Sequence, residues 1–443
     1  MAIHLSDHFG YRRILRFTAP SILMMIFTSI YGVVDGFFVS NFVGKIPFAA
    51  INFIMPFLMI LSAFGFMIGT GGTAVVSKTM GEGREEEAKR YFTFLTVVVI
   101  AGGAVLAAAG ILFMEPICRL LGAEDELLDY CVIYGRIILL VLPAYMLQTM
   151  FQSFLITAER PKLGLAVTVA AGVANMVLDF LLVYVFPCGI VGAAVATAVS
   201  QAVGGLVPLI YFCGKRGRVL HFTRFGFYGD VLLKTCTNGS SELMSNVSMS
   251  LVGILYNSRL LALAGEDGVA AYGVIMYVNF IFIAIFIGYS IGVAPVIGYH
   301  YGAENRSELK SLLKKSTVLM AAGGLLLTLL GMALAFPLSK LFVGYEQALL
   351  EMTARGLLLS SLSFLFCGIG IFGSSFFTAL GDGVTSALIS FCRTLIFQVG
   401  AILLLSAIWE LDGIWFSITV AEALAAVMTV CFVLLKRRKY GYL

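Results

Sequence analysis

A chain of 443 residues that is 60% hydrophobic and only 12% charged lies far from soluble proteins, which run roughly 45–50% apolar and about 25% charged. The composition marks a polytopic membrane protein and excludes a soluble globular domain. The net charge of +4 does not indicate a nucleic-acid partner, because the bases cluster between apolar runs, where they set membrane orientation.

The first apolar run, Ile14 to Val43, is long enough to span a bilayer, which takes roughly 20 residues. It continues too far for a signal peptide and reads as a retained span. It carries Pro20 and, fifteen residues on, Asp35. An acid at the centre of a membrane helix costs about 2.5–3.5 kcal/mol on insertion scales, so Asp35 needs a partner or a purpose. Further runs fall at 47–77, 91–115, 127–158, 162–187 and 189–213, and after a basic stretch at 236–263, 268–300, 312–339, 348–380, 383–409 and 413–435. Twelve spans are predicted, in an all-α fold.

Alternate loops hold 22 of the 29 basic residues, among them Arg12, Arg13, Arg84, Lys215, Arg216, Lys314 and Lys436. The intervening loops are acidic or nearly neutral, as at Glu124 to Glu126 and Glu266-Asp267. By the positive-inside rule both termini are cytoplasmic, in the cell membrane.

Shifting the chain by 221 residues superimposes Gly44 on Gly265, Ala49-Ala50 on Ala270-Ala271, Pro116 on Pro337 and Thr157-Ala158 on Thr378-Ala379. It also lays GEGREEEAK (81–89) over GAENRSELK (302–310). An even number of spans per repeat makes the two halves parallel, related by an axis along the membrane normal, with a cavity between them. The expected organisation is an N-lobe at 1–213, a basic cytoplasmic linker at 214–235 and a C-lobe at 236–443.

Within this topology Asp35 lies in the outer half of span 1. Asn175 and Asp179, four residues apart and so on one helical face, lie in the outer half of span 5. Thr197 in span 6 sits at a similar depth. Two acids, an amide and a hydroxyl offer hard oxygen ligands to Na⁺. Two neighbouring carboxylates also suit a proton, because each disfavours the other's charge. The second half has no such set: at the repeat shift Tyr256, Ile396 and Gly400 replace Asp35, Asn175 and Asp179. Its embedded acids are Glu242 and Glu422. Pro20 reads either as a static bend or as a hinge, since proline removes one helical hydrogen bond. Met24, Met25, Tyr31, Phe38, Met55, Glu242, Tyr256, Met276 and Tyr277 could line an adaptable surface between the lobes.

The run GTGGTAVVSK (69–78) lacks the phosphate-loop pattern and suits close helix packing. The eight cysteines are scattered and the four histidines form no zinc motif, so neither metal nor cofactor is expected.

These features resemble the multidrug and toxic compound extrusion (MATE) transporters along essentially the whole chain. The closer likeness is to the branch that includes the DinF and MepA proteins. In that branch a span-1 proline precedes an aspartate by fifteen residues, as Pro20 precedes Asp35, and span 5 carries NxxxD, as at Asn175 to Asp179. A span-6 threonine matches Thr197. The resemblance implies two six-helix lobes and an N-lobe cation site formed by Asp35, Asn175, Asp179, Thr197 and the carbonyl of Ala193. It further implies a monomeric antiporter, not an enzyme, exporting small amphipathic, often cationic, compounds in exchange for H⁺ or Na⁺. The NorM branch instead uses acids in spans 7 and 10. Here span 10 has no acid beyond Glu351 at its outer edge, which leaves the role of Glu242 open. The alternative is a lipid-linked precursor flippase of the same superfamily, which would favour a strongly cationic cavity. The bases in or near spans are few: Arg136, Arg259, Arg355 and Arg393.

Overall fold

The computed structural model describes residues 3–214, 218–344 and 346–442. Lys215 and Arg216, counted above among the orienting bases, lie outside the described residues. The chain is helical nearly throughout. In order run α1 (Tyr11–Phe42), α2 (Lys45–Gly81), α3 (Glu85–Leu121) and α4 (Asp125–Leu140, bent by 58° into Leu142–Thr157). Then come α5 (Pro161–Asp179, extended by a π-helical turn, Phe180–Val185) and α6 (Gly189–Cys213). A continuous run, Gly229–Gly302, holds α7 (229–264) and α8 (266–302), divided at Gly265. α9 is Arg306–Val343, and α10 is Gln347–Ser361 bent by 50° into Phe364–Ala379. The last run holds α11 (383–408, with a π-helical turn at Cys392–Ile396) and α12 (411–440), divided at Trp409 and Glu410. Among the described residues, eight helices are long and apolar enough to cross a membrane and each bent pair adds one. Dividing the two continuous runs at their breaks gives twelve.

The 221-residue repeat reappears in the backbone. Left-handed φ values pair Gly44 (114°) with Gly265 (64°), Gly83 (78°) with Glu304 (53°), and Gly189 (59°) with Glu410 (49°). The bends of α4 and α10 also correspond, but their causes differ. Pro143 opens the second segment of α4 and cannot supply the N–H that would continue the first. In α10 the Ser360 and Ser361 hydroxyls both donate back to the Leu357 carbonyl, at 3.3 and 2.6 Å, which loosens the turn.

The two halves meet at the end of the bundle that carries the termini. There α2 packs on α7 and α8, and α1 packs on α8. Gly81 and Gly302, equivalent in the repeat, cross one another: a Cβ at Gly81 would fall 2.0 Å from the Tyr299 carbonyl oxygen, and one at Gly302 would fall 2.1 Å from that of Lys78. Only glycine permits such an approach of backbones, and the packing it allows closes this end. Residues 3–10 run across it. The Glu159 carboxylate, at the α4–α5 turn, holds the His4 ring at 2.6 Å and accepts from the Leu5 N–H at 2.7 Å. The Glu308 carboxylate, on α9, holds the His8 ring at 2.6 Å and accepts from the Phe9 N–H at 2.8 Å. Lys315 donates to the Phe9 carbonyl at 2.6 Å, and the Leu5 and Phe9 side chains are buried.

Candidate cation site

The buried face of α5 is set by residues spaced three and four apart: Gly164, Thr168, Gly172, Asn175 and Asp179. Gly172 controls the approach of α1. A Cβ there would sit 2.5 Å from the Phe27 ring and 2.9 Å from the Tyr31 ring, one turn before Asp35. With that space free, the Asp35 and Asp179 carboxyls lie against one another, with Asn175 beside them. Asp179 is 0% exposed and Asn175 2%. Both Asp179 oxygens, Asp35 Oδ1 and Asn175 Nδ2 are buried without a hydrogen-bond partner among the described residues. The π-helical turn begins directly after Asp179, and such turns recur at functional sites because they shift the register of the groups around them. α6 closes on that turn at Gly192, where a Cβ would fall 2.8 Å from the Leu182 carbonyl oxygen. Its neighbour Ala193 is buried.

Thr197 sits next to Tyr134 of α4, and both carboxyls lie within electrostatic range of that tyrosine. Sequence reasoning passed over Tyr134, because an isolated tyrosine in an apolar span carries no spacing signal. Tyr145 of α4 and Tyr31 of α1 complete the aromatic wall. Among the described residues neither carboxyl forms a salt bridge with lysine or arginine. A buried acid beside a half-buried one, neither with a basic partner, calls for compensation by a proton or a cation. The oxygens of Asp35, Asp179, Asn175 and Thr197 are of the kind a small hard cation takes.

The remaining sequence candidates scatter. α1 runs through Pro20, which is buried next to the inter-lobe contact: Ser21 Oγ would lie 2.4 Å from a Cβ on Gly292. Met24 is buried, whereas Met25, Tyr31, Phe38, Met55 and Met276 are half-buried and Tyr277 is 44% exposed. Tyr256, expected at a cavity wall, is instead 1% exposed and committed to packing. Its hydroxyl meets Gln398 Oε1 at 2.9 Å and Ser417 Oγ at 2.6 Å, and its ring stacks on Tyr272 at 5.1 Å. Glu422 has a partner that spacing did not reveal: Arg393 Nε donates to both of its carboxyl oxygens, at 3.0 and 2.9 Å. Half-buried Glu242 lies within electrostatic range of the same guanidinium.

The MatE family model matches the chain twice, at residues 20–181 and 242–404, once in each half of the repeat. Multidrug export protein MepA of Staphylococcus saprophyticus subsp. saprophyticus is 25% identical over 440 residues, covering 96% of this chain and 94% of that protein. MepA of Staphylococcus aureus is 25% identical over 431 residues with the same coverage. A solved structure described as the outward-facing conformation of a multidrug resistance MATE family transporter superposes with a TM-score of 0.93 at 22% identity. It covers 99% of this chain and 98% of that one. With the family model matched in both halves and the twelve-helix architecture in place, the chain belongs to the MATE family of membrane transporters.

Proposed function

We propose that this protein is a secondary antiporter that exports small amphipathic, cationic compounds in exchange for H⁺ or Na⁺. The observation that carries the reading is the pairing of buried Asp179 with half-buried Asp35, neither of which has a basic partner among the described residues. The relatives' description as multidrug export proteins supports the substrate class. The bias of bases toward the terminus-bearing end supports cytoplasmic termini, so the bundle is closed toward the cytoplasm.

In this reading the external cation enters between α1 and α5 and is held by Asp35 and Asp179, with Asn175, Thr197 and the Ala193 carbonyl completing the site. Its charge removes the repulsion between the carboxyls, so α1 and α5 draw together. A ligand shifts an equilibrium only by its differential affinity for the two states. The cation therefore drives transport by favouring the α1 arrangement that binds substrate poorly, and Pro20 is the point where α1 can bend. The half-buried Met25, Phe38, Met55 and Met276 offer a deformable surface for varied apolar groups. The flippase alternative is disfavoured because Arg393, the embedded base, is tied to Glu422.

The test is efflux of a fluorescent cationic dye from proteoliposomes under an imposed pH gradient and, separately, an imposed Na⁺ gradient. Asp35→Asn and Asp179→Asn should each lower gradient-driven efflux at least tenfold while leaving the melting profile of the protein near that of the wild type. Undiminished efflux by both variants would remove the pair from the coupling mechanism.

A further inference from the structure

The end of the bundle that carries the termini holds an open cavity of about 500 Å³ that the transport reading does not use. Its walls come from both lobes. α2 and the turn after it supply Lys78, Glu82 and Arg84; α8 and the turn after it supply His300 and Glu304. α9 supplies Arg306, and α12 supplies Lys439. Lys78 and Arg84 share Glu82, and Arg84 also pairs with Glu87. Arg306 and Lys439 form no salt bridge among the described residues, so the lining is net positive. His300 is the second observation. It is 3% exposed, lines the cavity, and has no hydrogen-bond partner at either ring nitrogen among the described residues. The backbone carbonyls of Leu5 and Asp7 lie near its ring without reaching hydrogen-bond geometry.

We infer that this cavity binds a phosphate-type anion. The chemistry is that of a multivalent oxyanion: guanidinium and ammonium groups converge from several helices, and arginine engages paired oxygens of one phosphate at once. Basic pockets between membrane helices near the cytoplasmic face also suit anionic lipid headgroups. The shared chemistry is the phosphate group, carried either by a lipid or free in solution. The floor of the cavity includes the Gly302–Lys78 crossing, so the site exists as described only while the lobes are closed at this end. An anion bound there holds that closed arrangement and slows its opening. The site is separate from Asp35 and Asp179, and binding can be read without any transport.

The experiment uses the full-length protein in phosphatidylcholine nanodiscs at constant ionic strength, chloride replacing the probe in controls. Inorganic phosphate is titrated in one arm, and phosphatidylglycerol is included in the bilayer in the other. Thermal unfolding gives the readout. At least one probe should raise the melting temperature of the wild type. The double variant Arg306→Ala/Lys439→Ala should weaken that response at least tenfold in probe concentration. The charge-keeping variant Arg306→Lys/Lys439→Arg should restore most of it, and Arg224→Ala/Lys234→Ala, on exposed bases outside the cavity, should behave as wild type. A response to phosphatidylglycerol alone assigns a lipid headgroup, and a response to inorganic phosphate alone assigns a free anion. No stabilisation by either probe, or equal responses from the cavity and outside double variants, overturns the site.

Discussion

The two lobes share one backbone plan and hold opposite chemistry at corresponding places. At the Asp35 position of the N-lobe, two carboxyls and an amide lie together with four of their polar atoms unpartnered among the described residues. At the matching position of the C-lobe, Tyr256 is held by Gln398 and Ser417 in a neutral network. Where the C-lobe does bury charge, Glu422 is neutralised within the protein by Arg393. Satisfied polar groups fix a structure, whereas buried unsatisfied ones cost free energy until something binds them. At these matched positions the N-lobe atoms lack partners, whereas the C-lobe tyrosine is satisfied by neighbours from its own lobe. The repeat has preserved the turns and the Gly81–Gly302 crossing and has diverged at the candidate site.

The strongest way to break this contrast is to leave the C-lobe with an unpaired charge of its own. Arg393→Met strands the Glu422 carboxylate and should cost about 3–5 kcal/mol, whereas Arg393→Met/Glu422→Met should recover most of the loss. Thermal melts of the two variants in one detergent check this. If the double variant is as unstable as the single, the pair is more than self-neutralising.

A smaller effect is expected at the terminus-bearing end of the C-lobe. Asp382 accepts from Lys436 at 2.6 Å and from the Tyr440 hydroxyl at 2.8 Å, and it caps α11 through the Thr385 N–H. Burial works against its charge, but these bonds outweigh burial and hold its carboxyl below the usual carboxylate range. A depressed folded-state value means that the contribution is fully present above the ordinary value near pH 4. It is lost as pH falls through the lower folded value. Asp382→Asn should therefore cost about 2 kcal/mol at neutral pH and flatten the acid limb of a stability-against-pH curve. An unchanged acid limb would place that limb's origin elsewhere.

Tyr256→Phe removes a hydroxyl from a neutral network and should cost about 1–2 kcal/mol of stability, with ion-coupled efflux intact. A loss of coupling in that variant would show that the C-lobe network takes part in the ion step. The smallest change expected is a gain. Glu410 holds the left-handed conformation that Gly189 holds in the other half, so Glu410→Gly should stabilise by about 1 kcal/mol, seen as a higher melting temperature.

Much of this molecule is legible in its sequence because a membrane imposes strong patterns. Apolar runs, basic loops and the 221-residue repeat all follow from the cost of placing polar groups in lipid. Asp35, Asn175 and Asp179 stand out for the same reason, and their convergence follows from matched depth and helical spacing. What was not legible depends on contacts between distant residues. Arg393 and Glu422 are each visible, but their pairing requires knowing how α11 and α12 are rotated. Tyr134 has no pattern to announce it. The α4 bend has a signal in Pro143, which the unbroken hydropathy of 127–158 masks. The α10 bend rests on serine back-bonding, which a hydropathy reading passes over.

The segment at residues 3–10 has a mechanical consequence. It is fastened to the first half at both its ends, by Glu159 on one side and by its continuation into α1 on the other. The second half holds His8 and Phe9 between those two ends, through Glu308 and Lys315. A motion that parts the halves at this end must break the contacts at His8 and Phe9 if the segment is to stay with the first half. Hydrogen bonds to charged groups contribute roughly 1.5–3 kcal/mol each. Release therefore means breaking the His8 and Phe9 contacts to Glu308 and the Lys315 contact to Phe9. The segment is thus a strap between the halves far from the candidate cation site, and substitutions at Glu308 or Lys315 should loosen it while leaving Asp35 and Asp179 untouched.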